Sequence, residues 1–236
     1  MRTNEFRQGF SDGLPICLGY FSVSVAYGMT AVLSGIPVWA AVLISLTNLT
    51  SAGQFAGTNL MTAGGSLAEI GMTTLIINIR YFLMSLAMSQ KVEKKMGFLE
   101  RLAVSFGITD EIFAVSMQHP RELSTPYMAG LISMPVLGWT GGTLAGGILT
   151  SFLPEFISNA LAISLYGMFI AVIIPPARES KAIRFTILLA VVLSILMHVL
   201  PGLKELSSGW GIIIITVIVS GAAAWLFPVE EKEETV

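Results

Sequence analysis

Eight side chains in this sequence could act together: seven are polar or charged and costly in an apolar setting unless they are used, Asn48, Ser51, Gln54, Asn78, Arg80, Asp110 and Glu111, and Phe55 stands among them as an apolar neighbour. Four of them fall in Ser45-Leu-Thr-Asn-Leu-Thr-Ser-Ala-Gly-Gln-Phe-Ala-Gly57, at the centre of a stretch from Val38 to Ala68 that contains no Asp, Glu, Lys or Arg. Such a stretch is long enough to cross the roughly 30 Å hydrocarbon core of a bilayer, yet its middle carries hydroxyls and amides. Read as one continuous helix, it places Thr47, Ser51, Gln54 and Thr58 on one face, and Gly53 and Gly57 form a GxxxG approach surface. Read as broken near Ser51 to Gly53, it becomes two half-helices whose termini offer unpaired backbone groups to a solute. The alternative for each residue alone is a packing seam, where a hydrogen bond between membrane helices contributes about 1 kcal/mol or less. The joint presence of Asn48, Gln54 and Asn59 argues for more than a seam.

Charges inside the apolar stretches sharpen the picture. Arg80 lies mid-way along the span Leu67 to Gln90, far from both ends, where a guanidinium costs several kcal/mol unless it meets water, an anion or a carboxylate. Asn78, two positions away, points elsewhere on a regular helix; a local unwinding would bring it beside Arg80. Asp110 and Glu111 stand together in the segment 103–118, which is apolar but too short to span; it is either a re-entrant, cavity-lining element or a surface amphipathic helix. Arg80 and the Asp110-Glu111 pair are expected to form one electrostatic unit, because each is expensive alone.

These residues need a membrane scaffold, and the composition supplies one. The 236 residues are 54% hydrophobic and 12% charged, with a mean hydropathy of +0.77. The chain reads as an all-α polytopic membrane protein, one transmembrane domain over 1–236 with six to seven hydrophobic segments and broken or re-entrant helices near 47–53 and 103–118. A polar segment 1–12 precedes the first span, Gly13 to Leu33, with Pro15 near its start. Further spans are expected at Leu123 to Pro154, Phe156 to Ala177, Phe185 to Leu203 and Leu206 to Val229, and 230–236 is a solvated acidic tail. Gly138, Gly142 and Gly146 form a double GxxxG ladder, read as a packing seam whose flat face could also receive a partner. The region 91–122 is a basic loop plus the short helix; Lys91 to Arg101 and Arg178 to Arg184 both read as cytoplasmic. Three full crossings from a cytoplasmic N-terminus would put Lys91 to Arg101 on the wrong side. Either the N-terminus is outside, or the 38–62 stretch returns to the face it came from. Internal similarity between the halves is too faint to read as a repeat. A net charge of −2 excludes a nucleic-acid surface. Cys17 alone makes neither a disulfide nor a metal cluster, and two distant histidines leave no nucleophile-base pair, so no cofactor, metal or enzymatic activity is expected.

The motifs Gly9-x3-Gly13-Leu-Pro15, Ala52-Gly-Gln-Phe-Ala56, Asn78-Ile-Arg-Tyr-Phe-Leu-Met-Ser-Leu86 and Thr109-Asp-Glu111, in this order and spacing, resemble the AzlC-type branched-chain amino acid permease family over nearly the whole chain. The sequence departs from that family at Ala52-Gly53 and Tyr81, where a small polar pair and a histidine are common. The resemblance implies a bacterial inner-membrane exporter that works with a small AzlD-type membrane subunit. A zwitterionic amino acid needs donors for its carboxylate, which Asn48, Ser51, Gln54, Asn78 and Arg80 could supply. It also needs an acceptor for its ammonium, for which Asp110 and Glu111 stand ready; either could instead carry a coupling proton. Phe55 is placed for an apolar wall. The alternative is a structural or channel-like membrane subunit without a substrate site of its own.

Overall fold

The computed structural model describes residues 2–150, 152, 170, 173, 174, 177, 178, 180–200, 206 and 208–228, and every regular element among them is a helix. These are α1 (Arg2–Leu33), α2 (Val38–Thr47), α3 (Ser51–Thr62), α4 (Leu67–Ser89), α5 (Phe98–Phe106), α6 (Asp110–Gln118), α7 (Thr125–Thr150), α8 (Lys181–Val199) and α9 (Ser208–Leu226). Among the described residues α1, α4, α7, α8 and α9 are long and apolar enough to cross a membrane. The protein is an all-α polytopic membrane protein. The expected span Phe156 to Ala177 falls mostly outside the described residues, as does the acidic tail.

Two expectations about helix starts are corrected. The polar N-terminal segment is no separate element: α1 runs through it from Arg2, so Pro15 sits inside the helix and not near its start. The basic loop is shorter than 91–101, because α5 begins at Phe98, where the Glu100 carboxylate accepts from the Gly97 backbone N–H at 2.8 Å and caps the first turn.

Among the described residues the largest helix-helix interface joins α1 to α7, and glycine makes it possible. Gly9 lies on the backbone of Tyr127 and Leu131, Gly13 on Leu131, Gly138 on Cys17, Gly142 on Phe21 and Ser24, and Gly146 on Val25. A Cβ at any of them would strike a backbone carbonyl or an adjoining atom, so the two backbones approach as only glycine permits. The paired numbers rise together, so α1 and α7 are parallel. The glycine ladder is thus a seam, and its face is filled by α1 of the same chain and is not left open for a second protein. Ser124 donates to Glu5 Oε2 at 2.9 Å and Tyr127 to Asp12 Oδ2 at 3.0 Å, tying the two helices together near their starts.

Every other element can be oriented against this pair. α4 ends beside the start of α7, where Glu93 N–H donates to the Leu123 carbonyl and Leu123 N–H to the Lys91 carbonyl; α4 therefore runs antiparallel to both. α2 descends from the far end, with Val38 against Gly147 and Ser45 bonded to Thr143 at 2.7 Å. α3 climbs back along α4, with Gly53 against Asn78 and Gly57 near Thr74 and Ile70. Gly35 (φ 91°) and Gly64 (φ 77°), the two residues in left-handed backbone among those described, make the turns that flank this hairpin at the far end. The stretch 38–62 is therefore a V that returns to the end it left. α5 and α6 make a second V from the opposite end. Arg101 Nε donates to the Met96 carbonyl near its base, Gly107 packs on Ile132 at its tip, and Lys91 Nζ reaches the Met117 carbonyl at its return.

The two hairpins and the spans that follow them form an inverted repeat. The shift in sequence that carries Thr50, the N-cap of α3, to Thr109, the N-cap of α6, also carries Arg80 of α4 to Trp139 of α7. Each threonine side chain accepts from the backbone N–H three residues on, Gly53 and Ile112. Finally, Gly209 N–H donates to buried Glu69 Oε1 at 2.9 Å, placing the start of α9 at the far end, and Phe185 packs on Phe227 with Met197 near Gly211, so α8 is antiparallel to α9. Lys181 and Arg184 consequently lie at the same end as Arg7, Lys91, Lys94, Lys95, Arg101 and Arg121. That end carries these eight cations beside Glu5, Asp12, Glu93, Glu100 and Glu122, and the turns at 34–37 and 63–66 at the other carry no charge.

Candidate functional site

The two hairpin tips converge on a cavity of about 650 Å³ lined by Pro15, Ile16, Gly19, Tyr20 and Val23 of α1, Leu49, Ser51 and Ala52 of the first tip, Arg80 and Tyr81 of α4, Asp110 and Glu111 of the second tip, and Trp139 of α7. The size falls within the roughly 300–1,000 Å³ usual for small-molecule sites. Both return arms, α3 and α6, begin at this cavity, so the positive ends of two helix dipoles face it.

The first tip is broken by its own polar side chains. Asn48 and Thr50 are extended, at φ −147°, ψ 107° and φ −82°, ψ 115°. Asn48 Oδ1 accepts from Thr50 N–H at 3.2 Å, and Thr50 Oγ1 accepts from Gly53 N–H while donating to Asn78 Oδ1 at 2.5 Å. These local bonds satisfy backbone groups that a continuous helix would otherwise have to pair. Asn48 and Asn78 thus hold the break open from behind the cavity, and Ser51 and Ala52 line it. Asn78 and Arg80 point in different directions from an unbroken α4, as their spacing on a regular helix requires.

Arg80 Nη2 lies 2.8 Å from Asp110 Oδ2, joining α4 to the second tip, and its guanidinium carbon sits 5.2 Å from the centroid of Tyr81. The pair stays partly open to the cavity, with 48% of the Arg80 side chain and 37% of the Asp110 side chain accessible. Of the unit expected of Arg80 with the Asp110-Glu111 pair, the structure joins Arg80 directly to Asp110 alone. Glu111 is held separately: the Tyr20 hydroxyl lies 2.5 Å from Glu111 Oε2 and 2.7 Å from Thr109 Oγ1, and its one proton favours the carboxylate as the stronger acceptor. One guanidinium and two carboxylates face the cavity, so a single added proton balances their charge.

Gln54 and Phe55 are turned elsewhere. Gln54 is buried, its Oε1 accepting from Trp139 Nε1 at 2.8 Å and its Nε2 donating to Ser45 Oγ at 2.6 Å. Phe55 meets Tyr27 edge to face at 5.1 Å in a separate apolar cluster with Ala31 and Ala41. Of the eight residues singled out from sequence, Ser51, Arg80, Asp110 and Glu111 reach the cavity; Asn48, Asn78 and Gln54 brace its walls, and Phe55 packs behind. Tyr20, Tyr81 and Trp139 were not anticipated. An aromatic ring in an apolar span carries no signal of its own, although the Tyr20 hydroxyl in a charge-free stretch needs a partner there. Among the described residues no group of His, Cys, Asp and Glu could hold a metal ion.

A family model described as AzlC protein matches residues 15–153. The chain is 25% identical to the inner membrane protein YgaZ of Escherichia coli over 77% of each chain. It is 28% identical to an uncharacterized membrane protein of Archaeoglobus fulgidus, over 72% of this chain and 75% of that one. With the branched-chain amino acid transport protein AzlC of Bacillus subtilis it shares 23% identity over 75% of this chain and 69% of the relative. No solved structure matches. The matched region covers α2 to α7 with most of α1, and so contains both hairpins and every residue of the cavity.

Proposed function

The chain belongs to the AzlC protein family, whose members are membrane proteins related to branched-chain amino acid transport, and on that premise we propose that it is a secondary transporter exporting branched-chain or similar hydrophobic amino acids across a bacterial inner membrane. The family is one of transport proteins rather than enzymes. Export is coupled to inward movement of a proton, and the chain acts as the large subunit beside a small AzlD-type membrane protein.

The observation that carries this reading is the Arg80–Asp110 pair, with Glu111 beside it, in a cavity between two opposed half-helix tips. A zwitterion brings a carboxylate that suits Arg80 and the first N–H groups of α3, and an ammonium that suits a carboxylate at the second tip. In one state Asp110 neutralises Arg80; the zwitterion inserts between them, its carboxylate on the guanidinium and its ammonium on the Asp110 carboxylate, and a proton on Asp110 competes with that ammonium, so the site carries an amino acid outward or a proton inward but not both. A channel-like or structural subunit has no need of an arginine and two carboxylates at this depth, where each is costly. The clustering of cations at one end supports placing that end in the cytoplasm, with the α5–α6 hairpin dipping from the cytoplasmic side and α2–α3 from the other.

Reconstituted vesicles, with and without the small partner, test the proposal. Labelled leucine loaded inside should leave faster when a proton gradient is imposed, and unlabelled leucine or valine should compete. Leakage indifferent to both competitor and gradient would leave the channel-like reading standing in its place.

A further inference from the structure

Trp139 and Gln54 belong to a closed ring of hydrogen bonds across three helices. The indole Nε1 donates to Gln54 Oε1 at 2.8 Å, Gln54 Nε2 donates to Ser45 Oγ at 2.6 Å, Ser45 and Thr143 share a bond of 2.7 Å, and Thr143 Oγ1 donates to the Trp139 carbonyl at 3.0 Å. All four residues are buried, Trp139 at 1% exposure and Gln54 at 2%. A fully satisfied ring of this kind in an apolar setting fixes the orientation of its members, because any member that turns away strands the next one. The orientation fixed here matters. With its only donor spent on Gln54 and almost none of its surface accessible, the indole backs the cavity as a carbon floor. Tyr20, edge to face with Trp139 at 5.5 Å, has likewise committed its hydroxyl to the second tip. The cavity is therefore divided, with charge at the α4 and α6 wall and hydrocarbon at the α1 and α7 wall. The inverted repeat makes the same point, since Trp139 occupies in its unit the place that Arg80 occupies in the other.

We propose that Trp139, whose buried indole closes this cavity with almost no surface of its own exposed, is the floor of the side-chain subsite and sets the size of the apolar group accepted, and that Gln54 is its positioning residue, acting only through the indole. This rests on the transport reading above and names which residue discriminates among aliphatic amino acids. A carbon wall rejects a larger side chain by overlap and a smaller one by lost contact, and one methylene more or fewer is worth about 10- to 200-fold.

The test measures competition by alanine, valine, leucine and phenylalanine against labelled leucine in vesicles holding the full chain with its partner. Trp139→Ala should improve phenylalanine relative to leucine by about tenfold or more. Gln54→Met, nearly isosteric but unable to hold the indole, should shift the ranking the same way by less. Gln54→Glu should restore the wild-type ranking, because a carboxyl group kept neutral by burial supplies one acceptor for the indole and one donor for Ser45. A uniform fall in the rates of all four amino acids, with the ranking unchanged in Trp139→Ala, overturns the subsite while leaving the transport reading intact. Wild-type vesicles that move none of the four overturn both.

Discussion

Arg80 is the residue whose environment was most legible from sequence, since its position at the middle of a span required an anion and the nearest unexplained carboxylates lay at 110 and 111. The geometry meets that requirement at 2.8 Å. Arg80→Ala should lower leucine transport by about ten- to hundredfold, as expected for losing a charge-assisted hydrogen bond of about 1.5–3 kcal/mol to the substrate. Arg80→Ala combined with Asp110→Asn should recover yield in detergent more than transport, since the double change removes an unpaired charge without restoring the site. Normal transport by both single variants would show that the pair is only a strut. Gln54 was harder to place. Its amide sits in the same polar stretch as Ser51, and sequence does not record that one faces the cavity and the other faces Trp139 and Ser45, because the direction depends on where α3 begins.

Among the elements, the α2–α3 hairpin was within reach of the sequence because a stretch that turns back was one of the two ways to satisfy charge parity, the other being an outside N-terminus, and Thr47 to Ser51 supplied the side chains to break a helix. The α5–α6 hairpin was half visible. Lys94, Lys95 and Arg101 made the start of α5 read as loop, and a capping carboxylate at Glu100 is a weak signal beside three cations. The α1–α7 seam makes a sharper claim about element packing. Gly142→Ala should destabilise the protein by about 1–3 kcal/mol, because its Cβ would meet Ser24 and the Phe21 backbone. Gly141→Ala, one position along the same helix with nothing within reach of a Cβ, should be neutral or raise stability by up to about 1 kcal/mol. Thermal unfolding in detergent reads both, and equal losses would mean that the two helices do not meet through that face.

Residues 38–150 form an antiparallel pair of repeats, and hydropathy could not reveal it. Inversion preserves the lengths of apolar segments but reverses which end meets the basic loops, and the repeats have exchanged Arg80 for Trp139 and Ser51 for Asp110 at matching places. The fold therefore predicts an arrangement of ends that single segments do not. Reporter fusions after residues 36 and 65 should report from one side of the membrane and a fusion after 97 from the other, the cytoplasm. A periplasmic signal at 97, or opposite signals at 36 and 65, would require the 38–62 stretch to cross.

The parallel contact between α1 and α7 also governs the order of events during synthesis. Parallel neighbours cannot be joined by a short turn, so α1 enters the bilayer long before the helix that fills its glycine face has been made. At about 5–20 residues per second, the stretch from Leu33 to Thr125 takes on the order of ten seconds to translate. During that interval the carboxylates of Glu5 and Asp12, later held by Ser124 and Tyr127, have no native partner on α7. The nascent chain must hold its first helix in a provisional setting and commit its centre only once its seventh helix arrives.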